Sequence, residues 1–354
     1  MKFDFTIPKK SEIILLDDNI ANLKFKNLNY LYIDSKKINF FILCKTLLKL
    51  FLSKNNLNLR QLYKKNLYQY ISPKIAISHH INKRGFECKT LCPEIKVIVY
   101  QFSYFHEHKP INSAIDQDWN FDYFLSWCNK DKIYFSNKNK NKIIASGSIR
   151  NNSTIGPKNS LKKKYKLMLI SEYDPVDVNK KSYLMNNLRK FYKIIDQFCI
   201  KFNITLMVAL RSKRHDKKFK IESEKKYFNE IMRCNKIFDE NYKNSYITAN
   251  NSEMVACYHS TLGFELLSKK IKVFFLPLHE RKFKKTYHLE KEDNFHIHRK
   301  IEKKKIFKKM HSLLYISQKN WERKISKKNY LIKHDLKNKV LNNLIKKILK
   351  YNFK

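Results

Sequence analysis

The residues best suited to chemistry sit in short polar stretches that follow apolar runs. The clearest is His259-Ser260-Thr261-Leu262-Gly263-Phe264-Glu265, between the apolar runs Met254–Tyr258 and Lys272–Leu276. Ser260 and Thr261 are good helix N-caps. A helix opening there presents N–H groups and the positive end of its dipole to an anion such as a phosphate. Gly263 lets a ligand approach the first turn. Glu265 could accept hydrogen bonds from sugar hydroxyls or be a plain helix carboxylate, and His259 could bind phosphate, stack beside a base or hold a turn. Arg211 and Lys213 follow the run Ile204–Leu210 and are placed to meet diphosphate oxygens, with Glu224 as a partner for the Arg211 guanidinium. Such a set suits a diphosphate-activated sugar, although Ser-Thr caps followed by Gly and Glu also open helices that bind nothing.

Transfer from such a donor needs a stabilised leaving diphosphate and a deprotonated acceptor hydroxyl. His79 and His80 follow the run Lys74–Ser78. A histidine with an ordinary pKa of about 6.5 suits proton removal at neutral pH. His296 and His298 have HxH spacing but no third ligand nearby in sequence, and no carboxylate pair stands at a strand end in DxD form. No metal or other cofactor is expected.

The elements that must position these residues alternate between strand and helix. Met254–Tyr258, the polar turn, Leu262–Ser268 and Lys272–Leu276 read as strand, turn, helix, strand. That is a βαβ unit, and such units build parallel sheets that bind ligands at their carboxyl edge. Upstream, strands are predicted at Ile13–Leu16, Leu31–Ile33, Lys74–Ser78, Lys96–Tyr100, Phe121–Trp127 and Ile143–Ala145. Helices are predicted at Ile38–Leu52, apolar around most of its circumference and hence largely core, and at Leu57–Tyr70. Asn151–Lys164 has a linker composition. Beyond it, strands are predicted at Lys166–Ile170, Ile204–Leu210, Ser245–Thr248 and Leu313–Ile316, and helices at Lys181–Lys201 and Ile221–Cys234. The reading is an α/β chain with a first domain over 1–155, a second over 156–318, and basic C-terminal helices over 319–354.

Composition narrows the class. A hydrophobic content of 43% and an aromatic content of 14% over 354 residues exclude a disordered chain and allow two cores. The formal charge of +43 is spread along the whole length, which is weak evidence for nucleic acid. From Arg299 to Lys354, however, 19 Lys or Arg stand against 3 acids. That surface favours anionic lipid headgroups or phosphorylated substrates, and its helices, with Trp321, Tyr330, Tyr351 and Phe353, fit docking on a membrane and packing back on the first domain, which can both hold on different faces. Seven cysteines, mostly in apolar segments and without a CxxC, read as buried reduced thiols. The N-terminus has no secretory h-region, and no apolar stretch is long enough to span a bilayer. A cytoplasmic protein, peripheral to the membrane, is expected.

Several segments together resemble a family of bacterial surface-carbohydrate (O-antigen) biosynthesis proteins, distantly similar to the glycerophosphotransferases of teichoic-acid synthesis. They are ISPKIAIS over 71–78, VIVYQ over 97–101, IASGS over 144–148, LIS over 169–171, ALRS over 209–212, EKKYF over 224–228 and HSTLGFE over 259–265. The resemblance implies a GT-B fold, two Rossmann-like parallel-sheet domains facing a cleft, with a nucleotide-sugar donor on the second domain. It implies a saccharide or lipid-linked acceptor on the first, with Asn82 and Gln101 in the acceptor loops. The family usually has Asp-Asn and Gln-Asn-Gly in those loops. Here His80-Ile81-Asn82 and Gln101-Phe102-Ser103 stand there, without the acid. The expected activity is glycosyl transfer in surface-polysaccharide synthesis. Its alternatives are a CDP-polyol phosphotransferase or a non-catalytic, basic nucleic-acid binder.

Overall fold

In a computed structural model, two compact units account for the chain: residues 1–104, 109–154 and 333–354 form unit 1, and 105–108 with 155–332 form unit 2. The structure describes residues 2–18, 20, 28–34, 36–52, 57–81, 83–102, 120–129, 143–154, 163–174, 183–211, 218–239, 245–278, 295–326 and 332–351.

Unit 1 is built on a parallel six-stranded sheet. Its strands are β2 (Ile13–Leu15), β3 (Tyr30–Tyr32), β5 (Ile75–His79), β6 (Lys96–Tyr100), β7 (Tyr123–Ser126) and β8 (Ile143–Ala145), in the order β3-β2-β5-β6-β7-β8. Ile13, Ile14, Ile75, Ala76, Val97 and Ile98 are completely buried, as expected of strands covered on both faces. A separate parallel pair joins β1 (Lys2–Asp4) to β4 (Lys37–Asn39). Three helices follow: α1 (Phe40–Leu52), α2 (Leu59–Ile71) and α3 (Arg84–Leu91). Helix α1 departs from its sequence reading. Of its residues only Ile42 and Thr46 are buried, and most of its apolar side chains are exposed.

The expected linker begins as structure. A helical turn, α4 (Ile149–Asn152), buries Asn151 and Asn152 completely. Asn152 Nδ2 donates to Ser146 O at 2.8 Å and to Asn338 Oδ1 at 3.0 Å, and its Oδ1 accepts from Asp335 N at 2.9 Å. Gly147 completes this seam. Its φ is +78°, and a Cβ there would lie 1.9 Å from Lys333 O, so only glycine fits.

Unit 2 carries a parallel five-stranded sheet in the order β11-β10-β9-β12-β13. These are β9 (Tyr165–Ile170), β10 (Leu206–Ala209), β11 (Lys236–Phe238), β12 (Ser252–Cys257) and β13 (Val273–Phe275). The helices are α5 (Tyr183–Lys201), α6 (Lys218–Ile231), α7 (Ser245–Asn250), α8 (Thr261–Ser268), α9 (Lys303–Tyr315) and α10 (Gln318–Ile325). Two predicted strands are therefore helices. Ser245–Thr248 lies in α7, whose Tyr246 and Thr248 are buried, and Leu313 and Leu314 close the apolar stripe of α9.

The last helix, α11 (Lys339–Tyr351), belongs to unit 1. Its Leu341, Leu344, Ile345, Ile348 and Leu349 share one core with Ile13, Leu15, Ile75, Ile77, Ile98 and Leu125 of the sheet. The segment read as basic C-terminal helices over 319–354 is thus divided: α10 serves unit 2, with α9 before it, and α11 serves unit 1. Trp321 is inaccessible, its Nε1 donating to Lys270 O at 2.7 Å. Tyr330 and Phe353 lie outside the described residues, and nothing is described of the Tyr351 side chain. Among the described residues no helix is long and apolar enough to cross a membrane. Six of the seven cysteines are buried and all are free thiols.

Candidate functional site

Parallel sheets gather the residues that follow each strand along one edge, and the crevice opens where the strand order reverses direction. In unit 2 the reversal lies between β9 and β12. The register pairs Leu169 with both Val208 and Ala256, so the tails of β10, β9 and β12 end level. Those tails carry Leu210-Arg211, Ser171-Glu172 and Tyr258-His259, with Ser260 and Thr261 opening α8 beside them. Arg211, His259, Ser260 and Thr261 are therefore brought to one edge.

Glu172, which the sequence reading passed over, joins the two sides of that reversal. Its Oε1 accepts from His259 N at 2.9 Å, and its Oε2 stands 2.6 Å from His259 Nδ1. The Glu172 backbone is held from behind, its N–H donating to the hydroxyl of the fully buried Tyr192 at 3.0 Å. Burial pushes the His259 imidazole down, but the charge of Glu172 and the hydrogen bond to it outweigh burial and raise its pKa above the ordinary value. With Nδ1 committed to the carboxylate, a protonated His259 has Nε2–H as its donor to an anion.

The start of α8 is partly occupied by its own cap. Ser260 Oγ accepts from Leu262 N at 3.3 Å, and Ser260 O accepts from Gly263 N at 3.0 Å. Ser260 and Thr261 are half-buried. Arg211 is anchored by its backbone, its N–H donating to Glu224 Oε1 at 2.9 Å. Its guanidinium remains about half exposed, with Nη1 3.2 Å from Tyr173 O and 3.2 Å from Asp174 Oδ2. Glu224 is completely buried and also accepts from the Ser171 hydroxyl, so it holds the loop rather than the guanidinium.

Two expected donor contacts are replaced by packing roles. A Cβ on Gly263 would lie 2.6 Å from Cys257 Sγ and 2.9 Å from Phe275 Cε1, so this glycine lets α8 sit close on the sheet and faces away from any ligand. Glu265 is fully buried, with Tyr246 donating to its Oε2 at 2.6 Å, so its carboxylate is a core group. Lys213 lies outside the described residues.

Unit 1 repeats the arrangement. Its strand order reverses between β2 and β5, where Asp17 follows one strand and His79 ends the other. Asp17 Oδ1 accepts from Tyr100 Oη at 2.9 Å and Oδ2 from His79 N at 3.2 Å. His79 is half-buried, its ring 5.0 Å from that of Phe102. Burial lowers its pKa, Asp17 opposes that and Arg84 adds to it, so the ring stays neutral near pH 7. His80 is different. It is buried, its Nδ1 accepts from Phe102 N at 3.1 Å, and burial brings its pKa to about 4. Its acceptor nitrogen is used, which removes it as a base.

Gln101 is also structural: Trp127 N donates to its Oε1 at 2.8 Å and Trp127 Nε1 to its O at 2.8 Å, all of it buried. Asn82 lies outside the described residues. His296 and His298 are completely buried, the first edge-on to Trp321 and the second 3.1 Å from Lys309 Nζ. Among the described residues no cluster of three or more His, Cys, Asp or Glu could hold a metal ion.

One sequence signal could have found Asp17 and Glu172. Each unit's first buried strand, IILL and KLMLI, is followed within two residues by an acid. An acid at that point of an open parallel sheet lies at the reversal of strand order.

Solved structures sharing this fold include the UDP-GlcNAc 2-epimerase of Methanocaldococcus jannaschii, at 13% identity and a TM-score of 0.56, covering 99% of this chain and 100% of that one. The Neisseria meningitidis UDP-GlcNAc 2-epimerase bound to UDP-GlcNAc matches at 11% identity and a TM-score of 0.53, over 98% and 100%. The wall teichoic acid polymerase TagF matches at 12% identity and a TM-score of 0.56, over 98% and 91%. The fold class is thus GT-B-like, α/β with two parallel-sheet units. No curated protein matches the chain in sequence. The sequence profile of a family described as "putative O-antigen biosynthesis protein" matches residues 101–349. The chain belongs to that O-antigen biosynthesis family, and its role is in the synthesis of surface polysaccharide.

Proposed function

We propose that the protein is a glycosyltransferase that takes a sugar from a nucleotide-sugar donor held at the carboxyl edge of unit 2 and passes it to a saccharide or lipid-linked acceptor. The observation that carries this reading is the Glu172–His259 pair at the reversal of strand order. It raises the proton affinity of the His259 imidazole beside the start of α8, with the Arg211 guanidinium on the same sheet edge. A guanidinium, an imidazole that can carry a proton, a Thr261 hydroxyl and a helix N-terminus suit the charge that grows on a departing diphosphate. In this reading Arg211 and His259 do the work that a metal ion does in other transferases, and no cofactor is required. His79, neutral near pH 7 and set by Asp17, is the group suited to deprotonate an acceptor hydroxyl.

Titration of the purified chain with UDP-, GDP- and CDP-linked sugars tests the donor site. Saturable binding to at least one is expected, and His259→Ala or Arg211→Ala should weaken it about tenfold to a hundredfold, the worth of one charge-assisted hydrogen bond. Absence of binding across the panel would overturn the reading. The likeness to TagF favours one second reading, a CDP-polyol phosphotransferase. Release of CMP from a CDP-polyol would establish it, whereas release of UDP or GDP would establish the first.

A further inference from the structure

Helix α1 turns little apolar surface inward. Its inward side is Ile42 and Thr46: the Thr46 hydroxyl, fully buried, donates to Ile42 O at 2.6 Å and accepts from Asn66 Nδ2 at 3.1 Å, and at the margin the exposed Lys49 donates from Nζ to Asn66 Oδ1 at 3.1 Å. Its outward side is apolar. Phe40, Phe41, Leu48, Phe51 and Leu52 fall within about 120° of the helix circumference, and Phe51 and Leu52 are 86% and 84% exposed. The exposed Phe5, from the chain leaving β1, continues the surface with its ring 5.2 Å from that of Phe40. A globular protein ordinarily turns such a stripe toward its core.

The charges around the stripe decide what covers it. Residues 1–10 and 36–52 contain seven lysines and a single acid, Asp4. Lys2, Lys36, Lys37 and Lys45 are exposed beside the aromatic surface. Two copies joined through this face would bring lysines against lysines with almost no acid between them. An anionic bilayer complements both features, since acyl chains take the rings and leucines while lipid phosphates take the ammonium groups. We propose that α1, with the β1–β4 pair, is a docking surface for an anionic phospholipid membrane. The proposal places membrane contact on the N-terminal unit, and it holds whether or not unit 2 binds a nucleotide-sugar.

The test is co-sedimentation of the full chain with vesicles of phosphatidylcholine alone and of phosphatidylcholine mixed with phosphatidylglycerol, at low and high salt. Binding is expected on the mixed vesicles and should weaken as salt rises. Leu48→Asp with Phe51→Asp should lower vesicle affinity roughly tenfold or more, and Lys37→Glu with Lys45→Glu roughly tenfold. Both double variants should keep the wild-type melting temperature and nucleotide affinity, because these side chains point away from the core. Equal binding by wild type and both variants, or equal binding to neutral and anionic vesicles, would overturn the proposal. So would a wild-type dimer that binds no vesicles and is dissociated by Leu48→Asp with Phe51→Asp.

Discussion

Glu172→Gln removes one charge from the centre of the proposed donor site and keeps the shape of the side chain. In the wild type both carboxylate oxygens serve His259, one at its backbone N–H and one at Nδ1, and the His259 side chain is 19% exposed. A hydrogen bond to a charged group contributes about 1.5–3 kcal/mol. Glutamine can still accept from the backbone N–H, so Glu172→Gln should cost near the lower figure and Glu172→Ala near the upper. For a unit of this size that is a fall in melting temperature of about 3–12 °C. The pH dependence gives the sign. The pair raises the folded pKa of His259, so its stabilisation is complete below the unfolded value of about 6.5 and fades as pH rises through the folded value. The melting gap between wild type and Glu172→Gln should therefore be widest in mild acid and close toward alkaline pH. In parallel, the NMR titration of the His259 imidazole should shift to lower pH in the variant, where burial acts unopposed. A pH-independent gap together with an unmoved titration would refute the pairing.

Other outcomes follow from the same contacts. Gly263→Ala should destabilise unit 2 by about 1–3 kcal/mol through overpacking against Cys257 and Phe275; a variant as stable as wild type in thermal melts would contradict that packing. His79→Gln should reduce transfer about a hundredfold or more with little change in stability. His80→Gln should lower stability more than it lowers turnover per folded molecule, since its Nδ1 ties Phe102 N and no proton is taken there. Ile345→Ala should cost unit 1 about 2–5 kcal/mol, because Ile345 is completely buried in the core it shares with the sheet; chemical denaturation would show it.

The sequence exposed the strands and the family more readily than the site. Runs such as KVIVY and KIAIS are legible because a strand buried on both faces needs apolar residues at every position. Ser245–Thr248 misled because its β-branched Ile247 and Thr248 suit a strand, whereas the residues fold as α7, with the Tyr246 hydroxyl bonded to Glu265 and the Thr248 hydroxyl to Asp239. Helix α1 misled in the opposite direction: apolar content reports what leaves water, not whether protein or something else receives it. HSTLGFE marked the right edge of the sheet but not the division of labour within it. Gly263 and Glu265 look inward, a direction set by packing against Phe275 and Tyr246 that spacing does not encode. The partner of His259 lies 87 residues away, and only the strand order brings Glu172 beside it.

The placement of α11 has a consequence for how the chain is made. The sheet of unit 1 emerges from the ribosome before unit 2, yet the helix carrying Leu341, Leu344 and Ile345 emerges only after it. Until then Ile13, Ile75 and Ile98 lack the surface they finally rest against, while unit 2, lying almost wholly between, can close upon itself. Assembly therefore runs from the middle outward, and nascent chains stalled or cut short before α11 carry an open apolar seat that chaperones and proteases can recognise.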